Sequence, residues 1–328
     1  MRRTGVCLLF LILAGVLLPV GCARSPERQP APAPREELDI AALVGQWAGA
    51  AHANILLYPA GRDGCVSCHD GGAYAAGLTE QAQLERDFFV SIDCRACHTG
   101  RGQELLAAGT VSIPTAENVR AGLGAQCLSC HNERRAPDIA DENRSAPHPS
   151  SQAGLYTATG GIRAEGFAYG STGAHANLED TCVACHMTET RQGFRSHTFA
   201  VEDVQASCGR CHQRITAVNL PAKADYDGDG NTEGFQDEVQ GLLDLLKARA
   251  VEDLAGGSFE SAGGKIIFKN AAGEEVQAPN ELYQAAYNHL LVSQDGSLGL
   301  HNPLFTVQLL QQSYRMLTGE NVPNGAMQ

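Results

Sequence analysis

The sequence predicts a mainly α-helical protein with extensive irregular loop and little β-structure, folded around groups that the polypeptide alone does not supply. Three observations lead there. Five copies of Cys-x-x-Cys-His stand at Cys65–His69, Cys94–His98, Cys127–His131, Cys182–His186 and Cys208–His212. The stretch that carries them, residues 65–212, is too short per motif to build its own hydrophobic core. After residue 230 the apolar residues fall into helical rather than alternating patterns.

The motif defines its own chemistry. Residues i, i+3 and i+4 of a helical turn share a face, so two thiols and an imidazole can reach one porphyrin. The thiols add across the haem vinyl groups and the adjacent His binds iron, which is the grouping for c-type haem attachment. Five haem c groups are expected on Cys65, Cys68, Cys94, Cys97, Cys127, Cys130, Cys182, Cys185, Cys208 and Cys211. His69, His98, His131, His186 and His212 are the proximal iron ligands. A structural zinc site or a disulfide scaffold is the competing reading. Zinc would use the motifs in pairs and leave no reason for a His after each second Cys. The porphyrins then serve as the core, with chain wrapped around them.

Ten of the 12 cysteines are thereby used. The other two, Cys7 and Cys22, lie in the N-terminal segment, which opens with Arg2 and Arg3 and runs apolar from Val6 to Val20. Residues 1–21 read as a lipoprotein signal peptide, too short for a comfortable membrane span. Leu17–Gly21 before Cys22 resembles a lipoprotein cleavage box, with Pro19 where Leu is usual, and marks Cys22 for lipidation. Ordinary signal cleavage with a free Cys22 is the alternative. Export agrees with the motifs, because c haem is attached outside the cytoplasm. The net charge of −13 becomes more negative once Arg2 and Arg3 are removed. Such a surface is unsuited to nucleic acid and favourable to basic partners or cationic metal species, or serves solubility alone.

Residues 22–40, with Pro26, Pro30, Pro32 and Pro34, read as a Pro-rich tether. Residues 41–220 form the haem-binding region, in which the long Gly-, Ser-, Ala- and Pro-rich step 132–181 reads as loop. Residues 221–328 form a C-terminal helical region. A helix is predicted from Glu233 to about Leu254, with Phe235, Val239, Leu242, Leu243 and Leu246 on one stripe. A hairpin is predicted over Lys265–Val276 around Ala272–Gly273, and a helix over Asn280–Val292. The last helix starts at Pro303 with Asn302 as cap and ends at Gly319.

Whether each iron is closed decides between passing electrons and transforming a small molecule. Six of the 11 histidines lie outside the motifs: His52, His148, His175, His197, His289 and His301. Five distal ligands are needed. His301 lies between a turn and a capped helix, and His148 between Pro147 and Pro149, so both have fixed backbones. His289 sits on a predicted helix and reads as the packed non-ligand. Met187 and Met316 are further candidates that read as core.

The stretch Pro147–Leu317 resembles the multihaem cytochromes of metal-respiring bacteria, which share features with the cytochrome c nitrite reductase superfamily. The resemblance rests on Pro147–His148, Gln152, Gly160–Gly161, His175 before Cys182-Val-Ala-Cys-His186-Met187, Ser196-His197-Thr-Phe199, the Asp225–Gly230 loop and Asp295-Gly-Ser-Leu-Gly-Leu-His301-Asn302-Pro303. It implies distal ligation by His148, His175, His197 and His301. His52 joins them by counting and by its resemblance to an N-terminal His in such proteins. Nitrite reductases of that superfamily carry Lys in place of the motif His at the catalytic haem. All five motifs here end in His, which disfavours an active-site haem.

Asp225, Asp227, Asp229, Asn231 and Glu233 alternate around Gly230 like the first nine positions of a calcium loop, with Gln236 where the bidentate Glu would stand. One Ca2+ is expected there, pinning the junction between the haem region and the C-terminal helices. The sequence thus reads as an exported electron carrier, not an enzyme. It would be an outer-membrane lipoprotein facing the periplasm or the cell surface, membrane-bound through its lipid. Its partners would be other multihaem cytochromes, a porin-cytochrome conduit or a quinol-linked donor. The alternatives are a nitrite- or hydroxylamine-type reductase with one open haem, and an oligomeric, filament-forming conductor.

Overall fold

The computed structural model describes residues 38–328; the signal peptide, Cys22 and all but the last residues of the tether lie outside the described residues. Three long helices, Phe235–Asp253, Asn280–Asp295 and Pro303–Thr318, pack on one another and make the main apolar core. The predicted stripe is the buried face of the first: Val239, Leu242, Leu243 and Leu246 are inaccessible, although Phe235 is only half-buried. This helix starts at Phe235 rather than Glu233, because Glu238 turns back to accept the Glu233 amide at 2.9 Å. The second helix runs three residues past Val292, to Asp295, where Gly296 takes the left-handed conformation (φ 78°) that ends it.

Residues 41–220 are built differently. Helix Ile40–Gly49 is capped by Asp39, which accepts the Ala42 amide at 2.9 Å, and buries no residue. Short helical turns and long irregular connections follow. The apolar clusters here are small, Ala60–Val66–Ala73 in one place and Val111, Ile113 and Leu128 in another. This shortage of core is what a chain shaped around large prosthetic groups requires. Gly122 and Gly124 show how tightly the motifs close on one another. A Cβ on Gly124 would lie 1.8 Å from Thr181 Oγ1, and one on Gly122 would lie 2.2 Å from the Glu179 carbonyl.

Among the described residues the strands form two antiparallel hairpins. Thr110–Ile113 with Ala116–Arg120 was not foreseen; Val111 and Ile113 point inward from it. The C-terminal hairpin differs from expectation. Its ladder joins Ser258–Ala262 to Lys265–Lys269 through Gly263 and Gly264, with Phe259 opposite Phe268. Ala272–Gly273 belongs to a second, smaller turn, where Lys269 bridges Glu275. The strand Ser258–Ala262 was illegible because Phe259 is its one large apolar residue.

The C-terminal helices grip the loop between the third and fourth motifs. Asn288 and Gln284 both donate to the Ile162 carbonyl at 2.8 Å, and Tyr283 donates to the Ser145 carbonyl at 2.8 Å. Asn302 stands at the N-cap position without capping by its side chain. That side chain instead accepts from the Thr172 amide at 2.8 Å and donates to the Tyr156 carbonyl and to Ser171. No helix among the described residues is long and apolar enough to cross a membrane.

Candidate haem-binding centres

Each motif closes a turn that brings its three reactive side chains together. The His69 amide donates to the Cys65 carbonyl at 3.0 Å, His131 to Cys127 at 2.9 Å and His212 to Cys208 at 2.9 Å. Asp93 caps the second turn through the Arg95 amide, and Asp203 caps the short helix leading into the fifth. None of the ten motif cysteines pairs with another in a disulfide, which leaves each sulfur for attachment.

Every motif His faces a second imidazole. The ring centroids are 6.3 Å apart for His69 and His148, for His98 and His197, for His175 and His212, and for His186 and His301. His52 faces His131 at 6.1 Å. A metal–imidazole bond of about 2.0 Å, with the ring centre about 1.1 Å further out, sets two rings on one iron about 6.2 Å apart. The residues present therefore fit haem iron in each pair. His289 faces no motif; it packs edge-on to Phe259 at 5.3 Å. The pairing crosses the chain: His175 lies just before the fourth motif yet faces the fifth, and His197 lies after the fourth yet faces the second.

Most rings are oriented through Nδ1, which leaves Nε2 free for iron. Nδ1 of His69 lies 3.0 Å from the Leu56 carbonyl, that of His175 2.8 Å from Leu300 O, that of His186 3.1 Å from Phe199 O and that of His197 2.7 Å from Arg195 O. His148 Nδ1 lies 2.5 Å from the Pro149 carbonyl. The His131 Nδ1 meets Gln152 Oε1 at 2.9 Å, and the same Gln152 donates to the Asp295 carbonyl oxygen at 3.1 Å. His301 Nδ1 meets the Asp295 carboxylate at 2.7 Å. Burial lowers the pKa of His52 and His148 to about 4 and depresses those of His131 and His186. Burial thus favours the neutral imidazole, which is the ligating form. In His301 burial acts the same way, but Asp295 overrides it and raises the pKa.

The thiols show which centres adjoin. Cys68 meets Cys130, and Cys127 meets Cys182; in each contact the neighbouring thiol, then burial, raises the pKa of Cys130 and Cys127. Ser207, beside Cys208, donates to the Cys185 carbonyl at 2.9 Å, which brings the fourth and fifth motifs together. Phe199 joins three pairs at once. Its ring lies 4.4 Å from His52 and 5.9 Å from His197, and its carbonyl holds His186. It does so with a left-handed φ of 57°. Nothing local in the sequence marks this role, nor those of Asp295 and of Arg134, which bridges the first and third motifs by donating to the Cys130 carbonyl at 2.6 Å beside Cys68.

In the acidic loop, Asp225, Asp227 and Asp229 bring one carboxylate oxygen each within 4.8 Å of the others. Burial and then the surrounding carboxylates push Asp227 up to about 6. Asn231 turns toward Asp229 at 3.3 Å, and Glu233 stands outside the group of three. The loop is tied to the C-terminal tail, where the Ala326 amide donates to the Asp225 carbonyl at 2.7 Å.

No protein-family model matches the chain. It is 27% identical over 177 residues to the C-type polyheme cytochrome OmcC of Geobacter sulfurreducens, a match covering 52% of this chain and 16% of that protein. Its fold is similar to the crystal structure of outer cell wall cytochrome OcwA, with a TM-score of 0.51 and 22% identity, covering 83% of this chain and 50% of that one. The chain thus spans a sixth of the one relative and half of the other. By its attachment motifs, its helical and loop-rich fold and this relative, the chain is similar to multihaem c-type cytochromes.

Proposed function

We propose that the chain is an exported pentahaem electron carrier of anaerobic or extracellular respiration. Each iron would be held between the motif His and the imidazole facing it: His131 with His52, His69 with His148, His98 with His197, His212 with His175, and His186 with His301. The observation that carries the reading is the set of five ring pairs at 6.1–6.3 Å, which leaves no motif His without a partner. When bound, the haems supply one-electron chemistry; the chain fixes their spacing, excludes water and sets each potential. Each sulfur joins its porphyrin edge through a single carbon, so thiols in contact imply adjoining haems. The sulfur contacts support the order first, third, fourth, and the hydrogen bond from Ser207 to the Cys185 carbonyl supports the fifth motif beside the fourth.

A nitrogen-oxyanion reductase would need an iron with one protein ligand, and no motif His here lacks a facing ring. Cys22 lipidation, an outer-membrane position and exchange with other multihaem cytochromes, a porin-cytochrome conduit or a quinol-linked donor complete the proposal. One Ca2+ on Asp225, Asp227 and Asp229, with Asn231 and Glu233 nearby, would brace the loop against the C-terminal tail. Electron paramagnetic resonance with magnetic circular dichroism on the oxidised protein tests the central claim. Five low-spin haems with two imidazoles each are expected. A high-spin ferric centre that binds nitrite would overturn it.

A further inference from the structure

Asp295 occupies a costly position for a carboxylate. It is the last residue of helix Asn280–Asp295, where the helix dipole opposes negative charge. Its side chain is fully buried, and among the described residues no Lys or Arg pairs with it. Its Oδ1 accepts from His301 Nδ1 at 2.7 Å. Its Oδ2 accepts from the Ser297 hydroxyl and from the Ser297 amide at 3.2 Å. The other rings of the five pairs that have an Nδ1 partner have a neutral one, either a backbone carbonyl or the Gln152 amide. A buried anion kept at a helix C-terminus and aimed at one ligand calls for a reason beyond packing, since a neutral acceptor orients the neighbouring rings equally well.

We propose that Asp295 is a positioning residue that sets a potential: acting through His301, it makes the haem held by Cys182, Cys185 and His186 the most reducing of the set. This rests on the two-imidazole reading above. An imidazole that gives its N–H to a carboxylate is a stronger donor to the metal. Stronger donation, with a negative charge close by, stabilises ferric iron over ferrous. Reduction adds one electron at the iron and moves no proton in this account, so the effect falls on the potential.

The test uses the haem-loaded protein, titrated with dithionite and followed by electron paramagnetic resonance. Asp295→Asn keeps the shape and an acceptor for His301 while removing the charge. All low-spin signals should persist, and the most negative component should rise by at least tenfold in its ferric–ferrous equilibrium, about 59 mV for one electron. Ser297→Ala removes the hydroxyl that shares the carboxylate, leaves more charge to His301, and should move the same component down. Opposite shifts are not what a loosened fold would produce. The proposal is overturned if neither variant moves any component. It is overturned equally if Asp295→Asn converts one low-spin signal to high-spin, since the carboxylate would then only hold the ring. Should Asp295→Asn fail to load haem, Ser297→Ala decides, an unmoved or raised component being fatal. Failure of the underlying reading looks different: His301→Ala would leave the low-spin count unchanged.

Discussion

His175 and His212 face one another with ring centroids 6.3 Å apart, although the whole fourth motif lies between them in the chain. His175 is held by the Leu300 carbonyl at 2.8 Å, from the loop that enters the last helix. Three separate stretches of chain therefore meet at one centre. Each of the other motif rings likewise faces one partner ring, so a change of ligand at one ring should be read at one centre only.

Replacing His175 by Met exchanges an imidazole for a thioether. One low-spin centre should change its near-infrared charge-transfer band, and its potential should rise on the order of 0.1 V, within the roughly 0.8 V that axial ligands span. The other four centres should keep their signatures. Magnetic circular dichroism during a redox titration checks this, and a change spread over several centres would count against the pairing.

Phe199 combines a packing role with a left-handed backbone. Phe199→Ala should destabilise the protein by about 2 to 3 kcal/mol, because the ring contacts with His52 and His197 are lost. Phe199→Gly loses the same ring but tolerates the positive φ, and should be the milder change by about 1 kcal/mol. Guanidinium unfolding of the two variants side by side gives the difference.

His289 predicts a pH dependence. Burial, with Lys247 adding to it, lowers its pKa from 6.5 to about 4, and its Nδ1 is buried without a partner. Between those values the unfolded chain binds a proton at His289 that the folded chain refuses. Stability is then fully present above pH 6.5 and falls as the pH drops toward 4, by on the order of 3 kcal/mol from this group. His289→Gln cannot titrate and should flatten that part of the curve. Urea melts of both proteins at pH 7.5 and pH 4.5 measure it.

The loop of Asp225, Asp227 and Asp229 concentrates like charge that a cation would relieve. Calcium at one hundred times its dissociation constant should stabilise the protein by about 2.7 kcal/mol. Asp227→Asn should weaken that response. Thermal melts with calcium and with a chelator check it; equal midpoints in the two would remove calcium from the account.

Much of the fold could be read from local signals. Pro303 and Gly319 bound the last helix because one fits a first turn and the other a left-handed cap. The stripe Val239–Leu242–Leu243–Leu246 is buried as its spacing demands. The strand Ser258–Ala262 escaped because its residues alternate weakly, and its partner is chosen by contact with Phe268 rather than by composition. Asn302 was a cap by residue type, but the nearby loop offered its side chain three partners that the helix end could not match.

The sequence by itself determined the haem chemistry, because attachment needs two thiols and an imidazole on a single turn and five contiguous motifs supply them. It also determined that imidazoles were numerous enough to face every motif. Which ring faces which motif, that Phe199 ties three pairs together, and that Asp295 stands behind His301 were decided only by the tertiary structure. Those relationships join residues far apart in the chain, and local spacing carries no information about contacts made only when the chain folds back on itself.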